Sequence, residues 1–101
     1  MSDKEGLMKI FISGRITGDP YYKTKFNQAA SFLEARGYIV LNPATLPQGM
    51  IKDEYMQIGL TMLECADSIY MLNDWQTSQG AKVEYEYAKY LGKAIFFQDN
   101  P

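Results

Sequence analysis

The sequence predicts one α/β domain: a small parallel sheet, helices on both faces, and working residues in the loops beyond the strand ends. Three observations predict it. Four short apolar runs recur, at residues 9–13, 38–42, 68–72 and 94–97. Segments with helical spacing of apolar residues lie between them. Glycine, asparagine and proline punctuate the joints.

Each element has a local reason. Lys9-Ile10-Phe11-Ile12-Ser13 reads as a buried strand that Gly14 ends. Residues 14–20 are too polar and too glycine-rich for anything but a loop. In residues 22–36, Phe26, Ala29, Ala30 and Leu33 make one apolar helical stripe, and Gly37 closes the helix. The second strand stops at Asn42-Pro43, because proline cannot donate to a sheet ladder. After a loop at 44–50, a second helix spans 52–65, with Tyr55, Ile58 and Met62 on one face and Leu63 beside them. Asp53 and Glu54 in its first turn suit the helix dipole. The third strand leads into the loop Asn73-Asp74-Trp75-Gln76-Thr77-Ser78. The third helix spans 79–91, with Ala81 or Val83, Tyr87 and Leu91 expected toward the sheet, and Gly92 caps it before the last strand. A helix in every crossover makes the strands parallel. The expected order is 2-1-3-4, a three-layer Rossmann-like (flavodoxin-like) arrangement in which ligands bind at the switch between strands 1 and 3. Residues 1–8 read as a flexible leader and 9–101 as a single domain.

Composition narrows the function. A chain of 101 residues is near the lower end of what buries an adequate core. Its eight Tyr and five Phe exceed what that core can hide. The surplus fits an aromatic pocket or a self-association surface, with the second helix and its Met56 and Met62 as the expected surface of a homodimer or larger homo-oligomer. Ten basic and twelve acidic residues give a net charge of -2, with no basic stripe. A small ligand is therefore expected rather than a nucleic-acid polymer. A single cysteine, Cys65, allows no internal disulfide and fits a cytoplasmic setting. The absence of His argues against zinc, carboxylates leave magnesium open, and the reading assigns no metal ligand and no cofactor. The polar start and the lack of a long apolar run predict neither a signal peptide nor a membrane span.

Three loops converge at the expected ligand face. Gly14 and Gly18 flank Arg15, Ile16 and Thr17, and exposed amides in such a loop can cradle an anion; a plain structural turn reads equally well. Ser78 stands at a helix N-cap position, where it either only caps or, with Gly80 and the free first-turn amides, holds a phosphate or carboxylate. Glu84 is either a solvent-facing helix glutamate or a carboxylate leaning toward the strand ends, placed for attack on a sugar anomeric carbon. Asp74 could orient a base or sugar hydroxyl. Trp75 could stack a base, gate the pocket, or anchor its loop to the domain or a neighbouring subunit. Asp67 reads as a turn residue.

These pieces carry a resemblance that spans nearly the whole chain. The segments are Ile12-Ser13-Gly14-Arg15-Ile16-Thr17-Gly18, Asn42-Pro43-Ala44, Tyr55-Met56, Cys65-Ala66-Asp67, Trp75-x-x-Ser78-x-Gly80-Ala81-x-x-Glu84 and Leu91-Gly92-Lys93. They resemble the small proteins of the DUF4406 family. That family is similar to the nucleoside 2-deoxyribosyltransferase superfamily, which includes deoxynucleoside 5′-monophosphate N-glycosidases. The resemblance implies that Glu84 attacks C1′ while the nucleobase leaves, without a metal. It implies that Gly14, Arg15, Ile16, Thr17, Gly18, Ser78 and Gly80 hold a 5′-phosphate, with Asn42 and Trp75 also at the substrate. Base-exchanging relatives tend to carry aspartate at the position of Ser78, so serine leans toward a hydrolase. The chain departs from the glycosidases at Gly59, where they carry an aspartate that helps the base or sugar; Asp74 or Asp53 would have to serve instead. The expected function is cleavage or transfer at the N-glycosidic bond of a nucleoside or nucleoside 5′-monophosphate. The alternative is a non-catalytic nucleotide-binding or sensing protein.

Overall fold

A computed structural model describes residues 8–98; the expected leader, apart from Met8, lies outside the described residues. The strands are β1 (Lys9–Ser13), β2 (Ile39–Leu41), β3 (Ser68–Met71) and β4 (Ala94–Phe97). The helices are α1 (Tyr22–Glu34), α2 (Lys52–Cys65) and α3 (Gln79–Leu91). All strand pairs are parallel and the sheet order is β2-β1-β3-β4, as the sequence predicts. In register, Phe11 lies beside Leu41 on one side and Ile69 on the other.

Strand alternation divides the core in two. Ile10, Ile12, Tyr70 and Leu72 point to one face and pack against Phe26, Ala29, Ala30 and Leu33 of α1. Phe11, Ile69 and Met71 point to the other and meet Leu63 of α2 with Ala81 and Ala88 of α3. The three layers are thus α1, the sheet, and the α2–α3 pair. Ser13 shares the parity of Phe11, so its side chain belongs to the α2–α3 side.

The helix ends follow local chemistry. Ser78 accepts a hydrogen bond from the Ala81 N–H at 3.1 Å and caps α3. Gly92 ends it at φ 73°, a left-handed conformation that side chains adopt only at a cost. Glu54 reaches back to accept from the Ile51 N–H at the start of α2.

Several boundaries and faces differ from expectation. Helix α1 stops at Glu34 instead of residue 36, and a turn carries the chain through Gly37 at φ 91°. Short 3-10 turns occupy Pro43–Thr45 and Trp75–Thr77. On α3 the buried residues are Ala81 and Ala88, whereas Val83 is 48 % exposed and Tyr87 hydrogen-bonds Glu64 through its hydroxyl. The face of α3 against the sheet is therefore 81, 84 and 88, one helical stripe that includes Glu84. Among the described residues, no helix is long and apolar enough to cross a membrane.

Candidate active site

A cavity of about 210 Å³ opens at the carboxyl ends of the strands. The end of β1 contributes Ile12 and Gly14, the first loop Ile16 and Thr17, and α1 contributes Tyr22. Pro43 and Leu46 follow β2; Lys52, Tyr55, Met56 and Gly59 come from α2; Ser78, Gly80, Ala81 and Glu84 come from α3.

Glu84 sits where α3 runs over the sheet. The Ser13 hydroxyl donates to its Oε1 at 2.6 Å. The carboxyl has lost most of its water, which pushes its pKa up to about 7; the Ser13 hydrogen bond opposes that rise without cancelling it. Near neutral pH the group therefore exchanges a proton readily, as a general acid or base at a reacting centre must, and it is ionised, as a nucleophile must be, above that pH. On the α2 side lies Gly59, whose Cβ, if it had one, would stand 2.8 Å from Oε2 of Glu84.

The first loop is fixed from several directions. Gly14 packs so tightly that an added Cβ would meet the Leu72 side chain at 2.8 Å. The Arg15 N–H donates to Asp74 at 3.1 Å, and Arg15 Nε donates to the Thr17 carbonyl at 3.1 Å. Gly18 has φ 83°, and a Cβ there would stand 2.9 Å from the Arg15 guanidinium. Lys25 of α1 donates to the Arg15 carbonyl at 2.9 Å and to Asp19 at 2.6 Å, and it pairs with Asp74. Its ammonium holds the Asp19 carboxyl below the usual range. After these bonds the amides of Ile16, Thr17 and Gly18 donate to no protein acceptor among the described residues. The first-turn amides of Gln79 and Gly80 are free in the same sense.

The sequence candidates divide accordingly. Glu84, Ser78, Gly80, Gly14, Ile16 and Thr17 meet in the cavity. Asp74 does not line it; both its carboxylate oxygens are taken, one by the Arg15 N–H and one by Lys25. Through these bonds Asp74 ties the loop after β3 to the first loop and to α1. Arg15 and Gly18 shape the first loop without lining the cavity. Asn42 caps the 3-10 turn after β2 through the Ala44 N–H and donates to Asn27 at 3.0 Å. Trp75 takes the anchoring option: its ring packs 4.6 Å from Tyr85 and 6.1 Å from Phe97, centroid to centroid. Asp53, the other proposed substitute for a helper carboxylate, does not line the cavity either.

Sequence reasoning gave Ser13, Lys25, Tyr22, Tyr55 and Lys52 no part in the ligand site. A signal existed for Ser13, a hydroxyl at the end of a strand, directly after the apolar Ile10, Phe11 and Ile12. The Tyr55 hydroxyl donates to the Pro47 carbonyl at 2.6 Å and so holds the 44–50 loop against α2. Lys52 makes no hydrogen bond or ion pair among the described residues and is the one cation on the cavity wall. Also among the described residues, no three His, Cys, Asp or Glu side chains group as metal ligands.

The architecture is that of a solved structure of a 2-desoxiribosyltransferase from Leishmania mexicana. The TM-score is 0.71 at 18 % identity, over 89 % of this chain and 63 % of that one. This chain thus spans less than two thirds of that protein's length, and the likeness concerns the fold. No curated protein matches the chain. The model of a domain of unknown function, DUF4406, matches residues 8–97, nearly every residue that builds the sheet, its helices and the cavity, and the chain belongs to that family.

Proposed function

We propose that the protein cleaves the N-glycosidic bond of a nucleoside 5′-monophosphate, with Glu84 as nucleophile. One observation carries the reading: a desolvated carboxyl, hydrogen-bonded by Ser13 and with a pKa near 7, lies on the wall of a cavity at the strand ends. A carboxylate oxygen of Glu84 forms a bond to C1′ as the bond from C1′ to the base nitrogen breaks, and the electron pair leaves with the base, which takes up a proton. Water then attacks C1′ and frees the carboxylate. Attack needs the ionised form, so turnover rises with pH through about 7.

The other parts of the cavity suit such a substrate. Free amides at Ile16 and Thr17 and at the start of α3, with the Ser78 hydroxyl, suit a phosphate. Tyr22, Tyr55, Met56 and Leu46 offer apolar and aromatic wall to a flat base. Because α3 carries Ser78 and Gly80 at one end and Glu84 about one turn beyond Gly80, one rigid element would fix both the phosphate and the sugar. The fold shared with a deoxyribosyltransferase supports the same class of chemistry.

The test is incubation with nucleosides and 5′-monophosphates of each base while free base is followed. Release from monophosphates that Glu84→Gln abolishes, with a sugar adduct trapped on Glu84 by mass spectrometry, is the expected result. Nucleotide binding without any base release would replace the enzyme by a sensor.

A further inference from the structure

Glu84 is gripped from two elements, and the resemblance assigns a role to neither gripping residue. From β1 comes Ser13. It is 1 % exposed, on the α2–α3 side of the sheet, and its hydroxyl donates to Oε1 of Glu84. A buried hydroxyl without a partner costs free energy, and Glu84 is the partner it has.

From α2 comes Gly59. A glycine within a helix is destabilising relative to alanine, by about 0.5–1 kcal/mol, so it calls for a reason. Its backbone gives none, since Gly59 is not among the glycines with positive φ. The reason is spatial. A Cβ at 59 would stand 2.8 Å from Oε2 of Glu84, closer than such contacts occur, whereas its distance to the Phe11 ring, 3.9 Å, is ordinary. The atom that would have to shift is the tip of the Glu84 side chain, whose other oxygen Ser13 holds.

We propose that Ser13 and Gly59 are positioning residues for Glu84: the hydroxyl fixes Oε1, the missing side chain admits Oε2, and the site is built around a single carboxyl. Gly59 is then a fitted space, and a side chain placed there would displace the Glu84 carboxyl. Oε2 accepts no hydrogen bond among the described residues, and it lies between two residues of the cavity wall. The other titratable groups on that wall are Tyr22 from α1 and Lys52 and Tyr55 from α2; no second carboxylate lines it.

The inference rests on Glu84 as the working group, and its test reads the carboxyl directly, so the two ideas can fail separately. The full chain is labelled with carbon-13 at the glutamate carboxyl, Glu84 is assigned by Glu84→Gln, and its titration is followed from pH 4 to 9. Ser13→Ala removes a bond that favours the ionised form, so the midpoint should rise by about one unit, and Ser13→Thr should restore it. In any base-release assay the acid limb of the pH profile should move by the same amount. Gly59→Ala should displace the carboxyl and carry the midpoint away from its wild-type value, and Gly59→Asp should lower base release rather than raise it. An unchanged midpoint in Ser13→Ala, a threonine variant that behaves like alanine, or a gain of activity in Gly59→Asp overturns the proposal. If the Gly59 variants do not fold, the Ser13 pair decides it. If wild-type protein releases no base yet titrates as stated, the glycosidase reading fails and the positioning stands.

Discussion

The two faces of the sheet obey different rules. On the α1 face, four side chains at helical spacing, Phe26, Ala29, Ala30 and Leu33, bury themselves against Ile10, Ile12, Tyr70 and Leu72. On the α2–α3 face the corresponding stripe of α3 is Ala81, Glu84 and Ala88, and Ser13 and Gly59 stand opposite its glutamate. The first face is apolar packing apart from the buried Ser68, which shares the parity of Tyr70. The second gives up apolar contact at one end to hold an ionisable group away from water. Burial of apolar side chains stabilises both faces, and on the second it also raises the pKa of a carboxyl.

Substitutions on the two faces should part accordingly. The largest effect belongs to Glu84→Gln, which keeps size and removes charge. Base release should fall on the order of 10³-fold or more, while circular dichroism and the melting transition show a folded protein. The matching break on the other face is Phe26→Ala. It empties a fully buried ring site and should destabilise the domain by about 3–5 kcal/mol in a denaturant titration. In whatever fraction remains folded, the Glu84 titration midpoint should stay put. A Phe26→Ala change that moved it would show that the faces are coupled.

A third expectation concerns pH. The folded-state pKa of Glu84 is about 7 against an ordinary 4.5, so the folded state binds this proton more tightly than the unfolded state. The associated stability is fully present below pH 4.5 and is lost as pH rises through 7. From the size of that shift the loss is about 3 kcal/mol. Glu84→Gln should abolish this slope and be the more stable protein at pH 8. Asp19 and Asp67, whose pKa values are lowered by Lys25 and by the Lys9 N–H respectively, act below the ordinary carboxylate range and leave the window clear. Equal slopes between pH 5 and 8 for wild type and variant would mean that the Glu84 carboxyl is hydrated.

The same contrast explains what could be read from the sequence. The α1 stripe was legible because every member is apolar. The sheet-facing stripe of α3 was legible only in part: the expected face, Ala81 or Val83 with Tyr87 and Leu91, includes the buried Ala81 and misses Glu84 and Ala88, because a glutamate interrupts the apolar pattern. Ser78 was legible as a cap because capping is local. The Asp74–Lys25 pair was not, since its partners are 49 residues apart and a loop position does not reveal which cation will reach it. Gly59 is the extreme case. Its meaning lies in an oxygen on another helix, and a glycine announces only that something comes close.

The smallest expected effect falls at Ser78, where the two regimes meet, because this residue serves both fold and site. As a cap it satisfies the Ala81 N–H, and Ser78→Ala should cost about 1 kcal/mol of stability. Asparagine or aspartate caps as well as serine, so Ser78→Asp should leave stability nearly unchanged. It also places a negative charge among the amides proposed to hold the phosphate. Calorimetry with a 5′-monophosphate and the matching nucleoside separates the two roles. Ser78→Asp should weaken the monophosphate much more than the nucleoside, while Ser78→Ala shifts stability and discriminates less between the ligands. The reasoning is electrostatic: helix N-terminal amides attract one anion well, and a fixed carboxylate there repels a second. Equal weakening of both ligands by Ser78→Asp would mean that no phosphate sits at this end of α3, and Ser78 would then belong to the fold alone.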